Sequence, residues 1–135
     1  MKFLIFFSTL ILILPPSCEK QEAKKEIEIK YSAQTRGFKY VLHLKNNILK
    51  IDKNNEIKEI TLNKSQYSNI HNLVNNIEFN KIENNISTDE LAVDRAIKGI
   101  FTIKLKEKKY TFEFNHHKLP YPIQDLLNHL EALLS

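Results

Sequence analysis

The amino-acid sequence predicts an α+β domain, an antiparallel sheet of about six strands (a four-strand meander, a helix, a hairpin and a final helix) with two helices packed on one face. Three observations carry that expectation. Apolar and polar residues alternate in six short segments, two longer segments switch to a 3.6-residue period, and the polar second face of the strands calls for a cover on one side only.

Ile27, Ile29 and Tyr31 alternate with Glu28 and Lys30, so the fold begins on a half-buried strand. After a turn-like stretch from Ser32 to Gly37, the pattern resumes in Phe38, Tyr40, Leu42 and Leu44. Lys45-Asn46-Asn47 suits a turn because asparagine tolerates left-handed backbone. Leu49 and Ile51 continue the alternation, and Asp52 to Asn55 is a third turn. Ile57, Ile60 and Leu62 slip in phase by one residue, which predicts a bulge in the fourth strand.

The next boundary carries a helix-start signature. Asn63 can cap, Gln66 stands three positions on as its capping-box partner, and Leu62 and Tyr67 occupy the hydrophobic-staple positions. The helix stripe is Tyr67, Ile70, Leu73, Val74 and Ile77, dissolving between Asn75 and Phe79. Lys81 to Glu90 reads as a polar loop.

Lys98 to Lys106, with Phe101, Ile103 and Leu105 on one side, pairs with Tyr110, Phe112 and Phe114 in a hairpin. Pro122 suits the first position of a last helix, whose stripe of Ile123, Leu126, Leu127, Leu130, Leu133 and Leu134 runs to the C-terminus. This helix is expected to be a lid over the face of Phe101, Tyr110, Phe112 and Phe114. Its polar side, Gln124, Asp125, Asn128, His129 and Glu131, has no lysine or arginine, unlike helices that lie on anionic membranes.

Ahead of the domain at residues 26–135 stands an address label. Met1-Lys2 is a positive start, and Phe3 to Leu14 is an apolar run of signal-peptide length, well short of the roughly 20 residues that span a bilayer. Pro15-Pro16 ends that run. Leu14-Pro15-Pro16-Ser17-Cys18 resembles a bacterial lipobox, with a small residue directly before the cysteine. The resemblance implies a signal peptide at 1–17, a diacylglyceryl thioether on Cys18 and acylation of the new amino group. An ordinary signal peptide cleaved nearby would instead leave a free thiol in an oxidising compartment. Glu19 to Lys25 has no periodicity, so 18–25 reads as a lipidated tether.

The 135 residues allow one modest core, and 42% hydrophobic with 27% charged residues describes a globular chain. The single cysteine excludes a disulfide framework and a cysteine zinc site. Twenty basic residues against sixteen acidic ones give +4, spread in alternation, so a nucleic-acid partner is not implied. The densest basic cluster, Lys104, Lys106, Lys108 and Lys109 around Glu107, reads as a solvated hairpin tip rather than an anionic-surface contact.

Familiar catalytic signatures (GxSxG, HExxH, the P-loop, GxGxxG) are absent, and no cofactor is expected. His116-His117 stands out, but strand neighbours point to opposite faces; continuing the phase of Phe112 and Phe114 places His116 inward as a hydrogen-bonded structural residue and His117 outward, and no metal site is expected. Eighteen lysines stand against two arginines, so Arg36 and Arg95 run counter to the compositional drift. A guanidinium can fork onto a carboxylate, and Asp94, Glu90 and Asp89 lie near Arg95. A salt bridge or loop clamp competes with ligand binding for these arginines.

Tyr31-Ser32-Ala33-Gln34-Thr35-Arg36-Gly37-Phe38, then Asp94-Arg95-Ala96, then Tyr110-Thr111-Phe112-Glu113-Phe114-Asn115-His116-His117 before Pro120 and a Leu-rich helix, together resemble small lipoproteins of Bacteroidetes and flavobacteria. The resemblance implies a cell-envelope lipoprotein and carries no activity across; Asn115 and the lack of a glycine after the histidines depart from the family pattern. The expected function is a lipid-anchored, non-enzymatic binding or accessory module on a bacterial membrane, taken as the outer one, facing the periplasm or the exterior. Its expected partners are the membrane, through Cys18, and an envelope protein. The alternative is a small hydrolase or metal-dependent enzyme using His116, His117 and an acid such as Asp94 or Glu113. Arg36, Asp94, Arg95, His116 and His117 are the ligand-binding candidates.

Overall fold

Alternation produces strands wherever one face is covered, and the computed structural model, which describes residues 26–92 and 96–135, has six of them: β1 (Ile27–Gln34), β2 (Lys39–Lys45), β3 (Ile48–Lys53), β4 (Glu56–Thr61), β5 (Lys98–Leu105) and β6 (Lys108–Asn115). They form one antiparallel sheet in the order β4-β3-β2-β1-β5-β6. The chain is an α+β fold, as the sequence predicts. Helices α1 (Lys64–Asn75) and α3 (Tyr121–Ala132) cover one face, and a short α2 (Thr88–Ala92) lies in the crossover from β4 to β5.

Register puts the apolar set on the covered face. Tyr31 pairs with Leu42 and Phe101, Ile29 with Leu44 and Ile103, and Leu42 with Ile51. These meet Ile70 and Val74 of α1 and Ile123, Leu126 and Leu130 of α3, all essentially excluded from water. Each such side chain contributes about 1.5–3 kcal/mol by its burial.

The two β-meander turns have the geometry that asparagine permits. Asn46 and Asn47 have φ of 50° and 65°, and Asn54 and Asn55 have 52° and 73°, as two-residue turns matched to strand twist require. Asn54 also ties its turn to the start of β2, its Oδ1 accepting from the Lys39 amide at 2.8 Å. The sheet therefore has an entry end, with the start of β1, Asn46-Asn47 and the Lys106-Glu107 tip, and a far end, with the 35–38 loop and Asn54-Asn55.

α1 starts as the capping signature dictates. The Gln66 amide donates to Asn63 Oδ1 at 2.8 Å and the Asn63 amide donates to Gln66 Oε1 at 3.0 Å. Leu62 is buried, and the Tyr67 hydroxyl accepts from the Ile27 amide at 2.9 Å, pinning the helix to the first strand.

Several expectations need correction. β4 pairs with β3 in unbroken register, so there is no bulge; Ile57 sits opposite Asp52 on the open face and is 58% exposed, while Ile60 pairs with Leu49 on the covered one. An apolar residue on the wrong face imitates a phase slip. Ser32, Ala33 and Gln34 belong to β1, because pairing continues to Gln34–Lys39 and the turn begins at Thr35. α3 begins one residue before Pro122, with Pro120 as its cap, and ends at Ala132 rather than at the C-terminus.

The stretch from Phe79 into the segment read as a polar loop, Lys81 to Glu90, has two further jobs. A 3-10 turn at Phe79–Lys81 inserts Phe79 beside Tyr110 at 5.2 Å between ring centroids, and beside Phe101 and Phe112 at 6.5 Å each. Phe101, Tyr110 and Phe112 of the row assigned to α3 thus stack on Phe79, and Phe114 stacks on Phe112. Beyond it, Asn84 accepts from the Glu113 amide at 2.9 Å and Asn85 from the Asn115 amide at 2.8 Å. Asparagine side chains thereby occupy donors of the β6 edge that would otherwise be open to another strand.

A candidate site at the far end of the sheet

Tyr31 lies on the covered face of β1, wholly buried, and its ring leans toward the far end over Gly99 of β5. Added to Gly99, a methyl group would overlap the Tyr31 ring and hydroxyl, so this glycine makes the room the phenol occupies. The hydroxyl meets His116 Nδ1 at 2.7 Å. Burial pushes the Tyr31 phenol well above its ordinary pKa, so its proton stays. The phenol can donate to Nδ1 or accept from it, according to the imidazole tautomer.

His116 opens the 3-10 turn His116–Lys118, its amide held by the Ile97 carbonyl at 2.8 Å. Its ring lies 5.1 Å from Phe38, 5.6 Å from Tyr40, 5.8 Å from Tyr31 and 5.5 Å from His117. Burial holds the imidazolium below the ordinary histidine value; the neighbouring His117 acts the same way, Glu131 opposes and Lys53 adds to it.

A second polar group faces this one. The Tyr40 hydroxyl donates to Glu131 Oε1, and Lys53 Nζ donates to Oε2 at 2.6 Å. Lys53 also sits 5.3 Å from the Tyr40 ring centroid. Burial, then the bond to Glu131, keeps the Tyr40 phenol protonated. Between the two groups lies a cleft of about 370 Å³, walled by Phe38, Tyr40, His116 and Leu127 and edged by Lys53 and Glu131. Asn54, Gln124 and Asn128 add amide groups at its rim. Its size suits a small ligand or a single side chain of a partner.

The candidates from the sequence meet different fates. His116 is in the cleft and is hydrogen-bonded, the structural role expected of it, although the chain has left the sheet by that point. His117 is exposed, its amide held by Asn115 Oδ1 at 3.0 Å. Glu113 lies on the open face, paired with Lys98 at 2.7 Å. Arg36 is exposed in the far-end loop, two residues from Phe38, and does not line the cleft. Asp94, Arg95 and Cys18 lie outside the described residues. Among the described residues no group of three His, Cys, Asp or Glu side chains could hold a metal, and no helix is long and apolar enough to cross a membrane.

Tyr31, Tyr40, Lys53, Gly99 and Glu131 were not singled out by sequence. The one available signal was a glycine inside a strand pattern, which marks a close approach. No known protein family, no curated protein and no solved structure matches the chain.

Proposed function

We propose that this chain is a lipid-anchored cell-envelope module that binds a partner through its far-end cleft, without catalysing a reaction. The anchor rests on Cys18 in its lipobox-like setting, which also gives the chain's one cysteine a use. A bacterial membrane is the site, taken as the outer one, with the domain in the periplasm or outside the cell.

The observation that carries the binding role is that the cleft's polar groups are held before any ligand arrives. Glu131 is fixed by Tyr40 and Lys53, and His116 by Tyr31. Such groups lose little freedom on binding, which is what a recognition surface requires. Among the described residues the hydrolase alternative gains no support: His117 and Glu113 lie away from the cleft, His116 has a phenol, not a carboxylate, on Nδ1, and Asp94 lies outside them.

Affinity capture of the tagged, lipidated protein from its own envelope, alongside Asn128→Arg, tests this reading. Asn128 is exposed at the cleft rim, so the arginine fills the cleft without entering the core. A reproducible envelope partner that the variant loses is the expected result. Equal recovery by both proteins, or no partner with either, would contradict it.

A further inference from the structure

We infer that the entry end of the sheet seats on anionic phospholipid and so turns the cleft away from the membrane; this deepens the anchored-module reading and rests on it. The basic cluster of Lys104, Lys106, Lys108 and Lys109 is not merely a hairpin tip. Antiparallel pairing of Ile27 with Leu105 places that tip beside the first residue of β1, where the chain from Cys18 enters the fold. Lys45, at the neighbouring turn, and Lys64, at the start of α1, belong to the same end.

Pairing differs between the two ends. At the far end three lysines each have an acid of their own: Lys39 with Asp52 at 2.6 Å, Lys53 with Glu131 at 2.6 Å and Lys98 with Glu113 at 2.7 Å. At the entry end Glu28 alone serves His43 at 3.0 Å, Lys104 at 3.3 Å and Lys45 at 3.9 Å. Lys106, Lys108 and Lys109 are exposed and make no ion pair among the described residues. With Glu26 and Glu107 counted beside Glu28, the entry end still has six lysines (Lys45, Lys64, Lys104, Lys106, Lys108 and Lys109) against three acids, so positive charge is in surplus where the anchor arrives.

The tether alone would not orient the domain. Eight residues, 18–25, reach at most about 29 Å when extended, enough for the domain to turn over above the surface. Lysines within about 8–10 Å of anionic headgroups feel their field, whereas those at the far end do not. Charge therefore selects among the orientations that the tether permits.

The test uses lipidated protein carrying one fluorophore, on Ser65→Cys at the entry end or on Gly37→Cys at the far end, where nothing lies within 4 Å. Each is placed in vesicles of phosphatidylcholine alone or of phosphatidylcholine with phosphatidylglycerol, both containing a lipid-borne quencher. On anionic vesicles the Ser65 label is quenched severalfold more than the Gly37 label, and the difference disappears at high salt, on neutral vesicles and in Lys106→Gln/Lys108→Gln/Lys109→Gln. Equal quenching of both labels on anionic vesicles overturns the inference while leaving the anchor in place. Cys18→Ala protein that still sediments with anionic but not neutral vesicles supports it independently of the anchor. Retention by a nucleic acid or an acidic protein, with none by anionic vesicles, overturns it.

Discussion

The Tyr31 hydroxyl and His116 Nδ1 meet at 2.7 Å, joining the first strand to the turn after the last one across 85 positions of chain. Gly99 makes that meeting possible. Gly99→Ala is expected to cost about 1–3 kcal/mol, the usual penalty for overpacking a filled core. Tyr31→Phe alone should cost about 0.5–1.5 kcal/mol, for one lost hydrogen bond. Because the added methyl meets both hydroxyl and ring, the double variant should be less destabilised than the sum of the two. Urea midpoints of the four proteins check this, and strict additivity would show that Gly99 does not act through Tyr31.

Stability should depend on pH through His116. Its imidazolium is disfavoured in the fold, mainly by burial among Tyr31, Phe38 and Tyr40, with His117 and Lys53 acting the same way and Glu131 opposing. With the folded pKa below the ordinary 6.5, the unfolded chain takes up its proton first as pH falls. The contribution is therefore fully present above that value and is lost as pH drops through it. Urea midpoints measured from pH 8 to pH 5 should fall more steeply for the parent than for His116→Gln. Parallel curves would mean that His116 titrates alike in both states.

Leu130 is wholly buried on α3, so Leu130→Ala should cost about 2–5 kcal/mol. The unlipidated domain is sufficient for this measurement. An unchanged urea midpoint would place Leu130 outside the core and free α3 for a partner.

At the far end of β6 two edge amides are taken by side chains, and the Asn85 amide donates to the Glu113 carbonyl. Asn85 takes the Asn115 amide and donates to the Lys118 carbonyl at 2.5 Å, while Asn84 takes the Glu113 amide. Asn84→Ala/Asn85→Ala should cost about 0.5–1.5 kcal/mol per bond and speed hydrogen exchange at the 113 and 115 amides. Unchanged exchange there would show that water or another group already satisfies these donors.

The sheet was legible because only one of its faces is covered, which forces alternation in β1, β2, β5 and β6, with only Val41 and Ile100 as apolar residues on their open face. α1 was legible because Asn63 and Gln66 cap each other within four residues of sequence. Long-range geometry was not. Phe79 reads as the frayed end of the α1 stripe, yet it stacks on a hairpin more than twenty residues away in sequence. Glu131 reads as one more polar residue on the outside of α3, and only the fold brings it to Tyr40 and Lys53. Ile57 misled in the other direction, since an apolar side chain on the open face has the same signature as a slipped register.

The measurement that bears most directly on the anchored-module account is membrane fractionation of the full chain and of Cys18→Ala, expressed in a host that acylates lipoproteins and fed a labelled fatty acid. The parent should sediment with membranes and carry label. Cys18→Ala should carry none, and the portion bound to membranes should be released by high salt. Label-free parent protein, or a Cys18→Ala variant that stays with the membrane through a salt wash, would contradict the account.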